Sequence, residues 1–221
     1  MNILIPMAGL GSRFPKEKFK TKPLIEINST PMIIRAVESL DLDGDHLFVI
    51  RKSEFSAEIK SVIKNIKKKT NVIEINYQTS GPAETALLFS DLIDSDKELV
   101  IANCDQIMEW NSVNFLYNVR QYDGAVVTYH ATTDKNSYAK LNKVGEVLEI
   151  REKEVISSTS LNGIHYWKRG SDFVKSATEM IHANDRSKNG EFYIGPSYNY
   201  MIKKGLRVGI FHIASEMHHA V

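Results

Sequence analysis

Residues 3–24 read Ile3-Leu4-Ile5-Pro6-Met7-Ala8-Gly9-Leu10-Gly11-Ser12-Arg13-Phe14, then Pro15-Lys16-Glu17-Lys18-Phe19-Lys20-Thr21-Lys22-Pro23-Leu24. The apolar run Ile3-Leu4-Ile5 has the character of a short buried strand. Ala8, Gly9, Gly11 and Ser12 behind it are small enough to let backbone N–H groups face a ligand, and successive amides in such a turn form an anion-binding concavity. Arg13, Lys16, Lys18, Lys20 and Lys22 then supply five cations, with the single acid Glu17 among them. A strand end, an open backbone and clustered cations together point to a polyphosphate site. A glycine-rich surface turn with solvated lysines is the plain alternative.

Two common glycine loops do not fit. The Walker string Gly-x-x-x-x-Gly-Lys-[Ser/Thr] is absent. The dinucleotide loop Gly-x-Gly-x-x-Gly runs straight into a helix, whereas here Phe14 takes the third glycine position and Pro15 follows. The first helix start is Thr30-Pro31, an N-cap residue followed by proline at the first helical position.

Working outward, Pro31 to Leu40 carries the helical period. His46 to Ile50 is a strand, and a helix from about Ser53 shows its apolar face at Phe55, Ile59, Ile63 and Ile66. Its last turn holds Lys64, Lys67, Lys68 and Lys69, a charge run that suits the negative end of the helix dipole. Val72 to Tyr77 predicts a third strand, Gln78 to Thr85 a loop, then a helix through Leu92, and Glu98 to Ala102 a fourth strand. Such alternation indicates α/β layering, with ligands gathered at the carboxyl ends of the strands. The second half predicts a helix at Ser112–Tyr122, a strand at Ala125–Tyr129, and an antiparallel hairpin of Tyr138–Leu141 with Val147–Arg151. A strand at Leu161–Trp167, helices at Ser171–Ala183 and after Pro196, and a strand at Leu206–Ile213 follow. The expected organisation is one domain over 1–221, with a nucleotide-binding half at 1–130 and an acceptor-binding half at 131–221.

Composition bounds the function. The chain has 221 residues, and its net charge of +1 argues against a general nucleic-acid binder, which carries a strongly basic face. Cys104 is the single cysteine, which excludes an intramolecular disulfide and suits a reducing compartment. No apolar run approaches the roughly 20 residues of a membrane span, and the N-terminus lacks a signal-peptide layout. A cytoplasmic location is expected, with no membrane or nucleic-acid partner. The seven histidines show no metal spacing, and in His218-His219 the two rings face opposite ways if the chain is extended there.

The string Gly9-Leu10-Gly11-Ser12-Arg13-Phe14 with Lys22-Pro23-Leu24 resembles the signature of the sugar-phosphate nucleotidyltransferases, Gly-x-Gly-x-Arg and Pro-Lys-Pro-Leu, with Thr21 in place of the first proline of the second element. The resemblance extends over essentially the whole chain and is nearest to the small nucleotidyltransferases of bacterial capsule pathways. It implies a Rossmann-like α/β fold, with a mixed, mainly parallel sheet covered by helices on both faces and a small antiparallel acceptor-binding hairpin. It further implies transfer of a nucleoside monophosphate from a nucleoside triphosphate, CTP above the others, to a phosphorylated acceptor with release of pyrophosphate. Phosphoglutamine and a sugar 1-phosphate are the expected acceptors, and a homo-oligomer is left open.

By the same resemblance, Arg13 holds the leaving phosphates and Lys22 bridges the α-phosphate and the acceptor phosphate. The backbone at Ala8, Gly9, Gly11 and Ser12 cradles the phosphates, and Gln78, Gly81, Pro82 and Ala83 read the base. Asp105 holds Mg²⁺, while Lys140, Glu152, Lys153, Asn162 and Glu191 bind the acceptor. Each has a bland reading as well. Asp105 also suits a turn, Gln78 to Ala83 an ordinary helix start, and Lys140 and Lys153 solvated strand charges. Family members continue into Gly-Thr-Pro-x-Asp-Leu, so a further segment, with a second metal carboxylate in some members, is expected beyond Val221. Two rivals stay open, a nucleotide-sugar-dependent glycosyltransferase and a non-catalytic nucleotide-binding regulator. The first normally carries Asp-x-Asp where this chain has Asn103-Cys104-Asp105.

Overall fold

The computed structural model describes residues 1–9, 21–66 and 68–220. Strand β1 (Asn2–Met7) precedes a 3-10 turn at Lys22–Leu24 and a small hairpin of β2 (Glu26–Ile27) and β3 (Thr30–Pro31). Helix α1 (Met32–Leu40) leads to β4 (Asp45–Arg51), and α2 (Ser56–Lys64) to β5 (Thr70–Ile75). Short helices α3 (Pro82–Leu87) and α4 (Ser90–Ile93) precede β6 (Leu99–Ala102) and β7 (Gln106–Met108). Next come α5 (Ser112–Val119), β8 (Gly124–His130) and the hairpin of β9 (Ser137–Leu141) and β10 (Val147–Glu152). The chain then runs through β11 (Thr159–Trp167), α6 (Gly170–His182), α7 (Ser197–Lys203), β12 (Val208–His212) and β13 (His218–Ala220).

The main sheet has the order β10-β9-β11-β6-β1-β4-β5, with β8 and β12 joined through β11. Strands β1, β4, β5 and β6 are mutually parallel. Strand β11 is antiparallel to β6, β8 and β9, and β12 is parallel to β8. Of these nine strands only β10 and β11 therefore run against the other seven, which bears out the mixed, mainly parallel sheet.

Alternation along the central strands covers both faces, as a two-residue period requires. Leu4, Leu47, Val49, Leu99 and Ile101 pack against α3, α4, α6 and α7 through Ala86, Ile93, Phe173 and Met201. On the other face, Ile5, Phe48 and Ile50 meet Ile33 and Val37 of α1 and Ile59 and Ile63 of α2. Ile3, Val100, Val127 and Tyr166 close against Leu40 and, from α5, Phe115 and Val119. No helix among the described residues is long and apolar enough to cross a membrane.

Several predicted boundaries move. Thr30 lies in β3 and Pro31 is the N-cap of α1, because Asn28 and Ser29, both with positive φ, form a tight turn that returns Pro31 to pair with Glu26. The helix expected through Leu92 is two helices. The bonds Leu88 N→Thr85 O (3.3 Å) and Phe89 N→Ala86 O (3.2 Å) tighten the end of α3 and turn Phe89 into the core. The predicted hairpin is present and belongs to the main sheet through Ser160, which pairs with Tyr138 of β9 and Tyr129 of β8. That register sets the start of β9 level with the end of β8, so the hairpin rises beyond the carboxyl edge of the parallel strands.

One glycine is dictated by packing. Gly81 has φ of 139°, and a β-carbon there would lie 2.5 Å from the carbonyl oxygen of Phe192 and 2.6 Å from its nitrogen. Ala83 N donates to Phe192 O (3.0 Å) and Phe192 N to Ser80 O (2.8 Å), so this glycine joins α3 to the 190s loop. Gly81→Ala is expected to lower unfolding stability by about 2 kcal/mol or more, from strain plus displacement of that contact. Chemical denaturation checks it, and a loss below about 0.5 kcal/mol, the range of ordinary surface changes, would show that the loop gives way freely.

Candidate active site

A cleft of about 920 Å³ opens where the carboxyl ends of β1, β4, β6 and β8 face the base of the β9–β10 hairpin. Gly9 lies on its wall, and a β-carbon at Gly9 would meet no atom of the described residues within 4 Å. Ala8 beside it is buried in the core. Gly11, Ser12 and Arg13 lie outside the described residues.

Lys22 reaches the cleft from the 3-10 turn that Leu24 N→Thr21 O (3.0 Å) and Ile25 N→Lys22 O (3.2 Å) close, with Pro23 buried beneath. Its Nζ donates to Asp105 Oδ2. Asp105 stands in the turn between buried β6 and β7, and that turn is held by Asn103 N→Gly163 O (3.3 Å) and by β7 pairing with β13. The pair is partly accessible, with side-chain exposures of 24% for Lys22 and 18% for Asp105. Asp105 Oδ1 has no protein partner among the described residues, and those residues contain no group of three or more His, Cys, Asp or Glu that would enclose a metal. One partly accessible carboxylate oxygen on a cleft fits Mg²⁺, which keeps several waters and needs only one or two protein carboxylates.

Among the residues expected to read a base, Pro82 lines the cleft. Gln78 is exposed and outside the cleft lining, while Ala83 is in the core. The helix start is closed by the Glu84 carboxylate, which accepts from Ser80 N in the manner of a capping box. The close approach that Gly81 permits is made by the Phe192 backbone.

Of the acceptor candidates, Glu152 and Asn162 line the cleft. Glu152 accepts from Ser137 Oγ at the base of the hairpin. Asn162 sits in a wide bulge, where the four steps from Leu161 to His165 pass only two on β8, from Thr128 to Val126. Its Oδ1 accepts from Ile164 N (3.0 Å), fixing the side chain within the bulge. Lys153, turned by a φ of 53°, places Nζ 2.8 Å from the Oη of the cleft residue Tyr193. Lys140 is exposed on β9 opposite Glu149 and outside the cleft lining. Glu191 also lies outside that lining and accepts from Asn189 Nδ2 (3.0 Å).

Residues given no binding or catalytic role from the sequence also reach the cleft. They include Arg51 at the end of β4 with residues 52–55 behind it, and Tyr129, His165, Tyr193 and His218. His218 packs on Tyr129 with ring centroids 4.1 Å apart, while His219 pairs with exposed Glu109, so the two rings do face opposite ways. Burial pushes the His165 imidazole down to about 3. Burial, then the neighbouring Asp105 carboxylate, pushes the Cys104 thiol up to about 12. A thiol that stays protonated is a poor nucleophile, so Cys104 does not suit covalent catalysis.

No protein-family model and no curated protein matches the chain. Solved structures share its fold. A nucleoside-diphosphate-sugar pyrophosphorylase from Vibrio cholerae aligns with a TM-score of 0.84 at 24% identity, covering 99% of this chain and 94% of that one. A UDP-glucose pyrophosphorylase complexed with UDP-glucose aligns at 0.75 and 19% identity, over 96% and 90% of the two chains. An inositol-1-phosphate CTP transferase from T. maritima aligns at 0.74 and 11% identity, over 100% and 88%. At these identities the likeness establishes the fold.

The chemistry of Cys104 is directly measurable. Alkylation of the folded protein at pH 8 is expected to be at least about tenfold slower than in the unfolded chain, whose thiol has the ordinary value of about 8.5. Equal rates would place an accessible thiolate in the cleft.

Proposed function

We propose that the protein is a nucleotidyltransferase. A phosphate oxygen of a phosphorylated small molecule attacks the α-phosphorus of a nucleoside triphosphate. The bond from that phosphorus to the bridging oxygen breaks, and pyrophosphate leaves with the electron pair. The observation that carries this reading is the Lys22 ammonium set against the Asp105 carboxylate in one cleft, which Gly9 also lines. Catalysis here rests on positioning and charge neutralisation, with no covalent enzyme nucleophile.

Lys22 is placed to meet the α-phosphate and the acceptor phosphate as negative charge gathers between them. Asp105 is the described residue suited to hold Mg²⁺, which when bound supplies neutralisation of phosphate charge. Arg13 takes the leaving phosphates by its resemblance to the family signature. The half at 1–130 takes the nucleotide and the half at 131–221 the acceptor, through Glu152, Asn162 and Lys153. Fold likeness to proteins named for nucleoside-diphosphate sugars and for CTP supports this class of reaction. CTP is the donor in this proposal, with phosphoglutamine or a sugar 1-phosphate as acceptor. It follows the resemblance of the chain as a whole to the small capsule-pathway enzymes, among them CTP:phosphoglutamine cytidylyltransferase.

The test pairs CTP, UTP, dTTP, GTP and ATP with sugar 1-phosphates and phosphoglutamine and follows pyrophosphate. Release is expected with CTP and one acceptor class. Lys22→Ala should cut turnover at saturating substrates by about 10²–10³, the typical loss for one such electrostatic group. Wild-type turnover in that variant would remove Lys22 from the chemistry, and the absence of release with every donor and acceptor pair would favour a nucleotide-binding regulator.

A further inference from the structure

We propose that His165 reads the body of the phosphorylated acceptor, its Nε2–H donating to an uncharged oxygen, either a hydroxyl or an amide carbonyl. This rests on the reading of the cleft as a nucleotidyl-transfer site. His165 follows the bulge of β11 and is only 7% exposed, yet it lines the cleft with Asn162, Gly163, Ile194 and Gly195. Its ring lies nearly parallel beside the stacked pair of Trp167 and Tyr198, whose centroids are 4.5 Å apart, at 6.0 Å and 24° from the first and 5.9 Å and 22° from the second. Gly195 faces the ring edge, where a β-carbon would stand in ordinary contact 3.9 Å from His165 Cε1.

Nδ1 of His165 is buried with no hydrogen-bond partner among the described residues. Nε2 makes no hydrogen bond to them either but is not sealed in the same way, so it is the ring nitrogen that meets the cleft. An orphaned buried N–H is rarer in folded proteins than an under-used acceptor. The proton therefore belongs on Nε2, and the lone pair on buried Nδ1. Burial holds the imidazole neutral at physiological pH. A neutral donor offers a phosphate far less than Lys22 or Lys153 does, and it matches an uncharged oxygen. Leu161 and Ile194 beside it give the acceptor an apolar wall. Sugar hydroxyls and a glutamine amide share this chemistry, so the probes must separate them.

Imidazole nitrogen NMR of the wild-type protein, with His165→Phe for assignment, tests the proposal directly. The expected result is a neutral Nε2–H tautomer from pH 5 to 8, whose ring shifts move on titration with glucose 1-phosphate or with phosphoglutamine. The probe that moves them identifies the source of the oxygen. In kinetics, His165→Phe keeps the stack and removes the donor. It should raise the KM for the acceptor about tenfold, the equivalent of one hydrogen bond of about 1.4 kcal/mol, while the triphosphate KM changes far less. His165→Gln, which restores an N–H, should recover part of the loss. A proton on Nδ1, a ring blind to every acceptor probe, or a wild-type acceptor KM in His165→Phe would each overturn the assignment. If no donor and acceptor pair releases pyrophosphate, the transfer reading fails, and the ring titration still decides for or against His165.

Discussion

One edge of β11 is divided between two strands, and the cleft exists because of that division. Ser160 pairs with Tyr138 of β9, whereas Ile164 to Trp167 pair with β6. Between them the chain bulges through Asn162 and Gly163, whose backbone is left to the cleft and to Asn103. Gly163 has φ of 95°, and a β-carbon there would fall 2.2 Å from Asn103 Nδ2. A glycine is thus required where the β6 exit crosses the bulge. The same crossing sets the turn that presents Asp105. The turn that carries Asp105 and the bulge that carries Asn162 are in this way fixed to one another by backbone.

Against that frame, the Lys22–Asp105 pair adds little to stability. Partly exposed ion pairs contribute about 0–1 kcal/mol. Their value here is positional, because the pair links the segment after β1 to the turn after β6, whose strands lie side by side in the sheet. An arriving polyphosphate, in the proposed reaction, would compete for the Lys22 ammonium and leave the Asp105 carboxylate facing it, ready for a cation. In the proposed reaction both groups are held in place before charge develops, which is the condition for electrostatic catalysis in a shielded site.

The layering was legible in the sequence because continuous apolar runs mark β1, β4 and β6 and helical apolar patterns mark α1, α2 and α6. The turn after β6 was legible for a chemical reason, since Asp105 falls where a buried strand ends. Other features needed the third dimension. Lys140 and Lys153 look alike as strand charges, and only the register of the hairpin puts one in solvent and the other at Tyr193. Gly81 signals a close approach without saying whose, and the neighbour is Phe192. Strands β7 and β13 are three residues each, too short for any periodicity, and they pair across more than a hundred residues. His165 sits in a segment that reads as a strand, and its one local mark of a bulge, Gly163 in mid-strand, does not say that the bulge turns His165 to the cleft.

The central claim is that a nucleoside triphosphate binds between the loop after β1 and Asp105, with a cation shared at that carboxylate. Thermal unfolding with CTP, with and without Mg²⁺, tests it most directly when wild type is compared with Asp105→Asn. A ligand at about 100 times its Kd adds about 2.7 kcal/mol, or on the order of 5–10 °C for a chain of this size. The account predicts that Mg²⁺ enlarges the CTP-dependent shift in wild type and that Asp105→Asn unfolds like wild type without ligand but loses the Mg²⁺-dependent part. An identical Mg²⁺-dependent shift in the two proteins would contradict it and make Asp105 a turn residue.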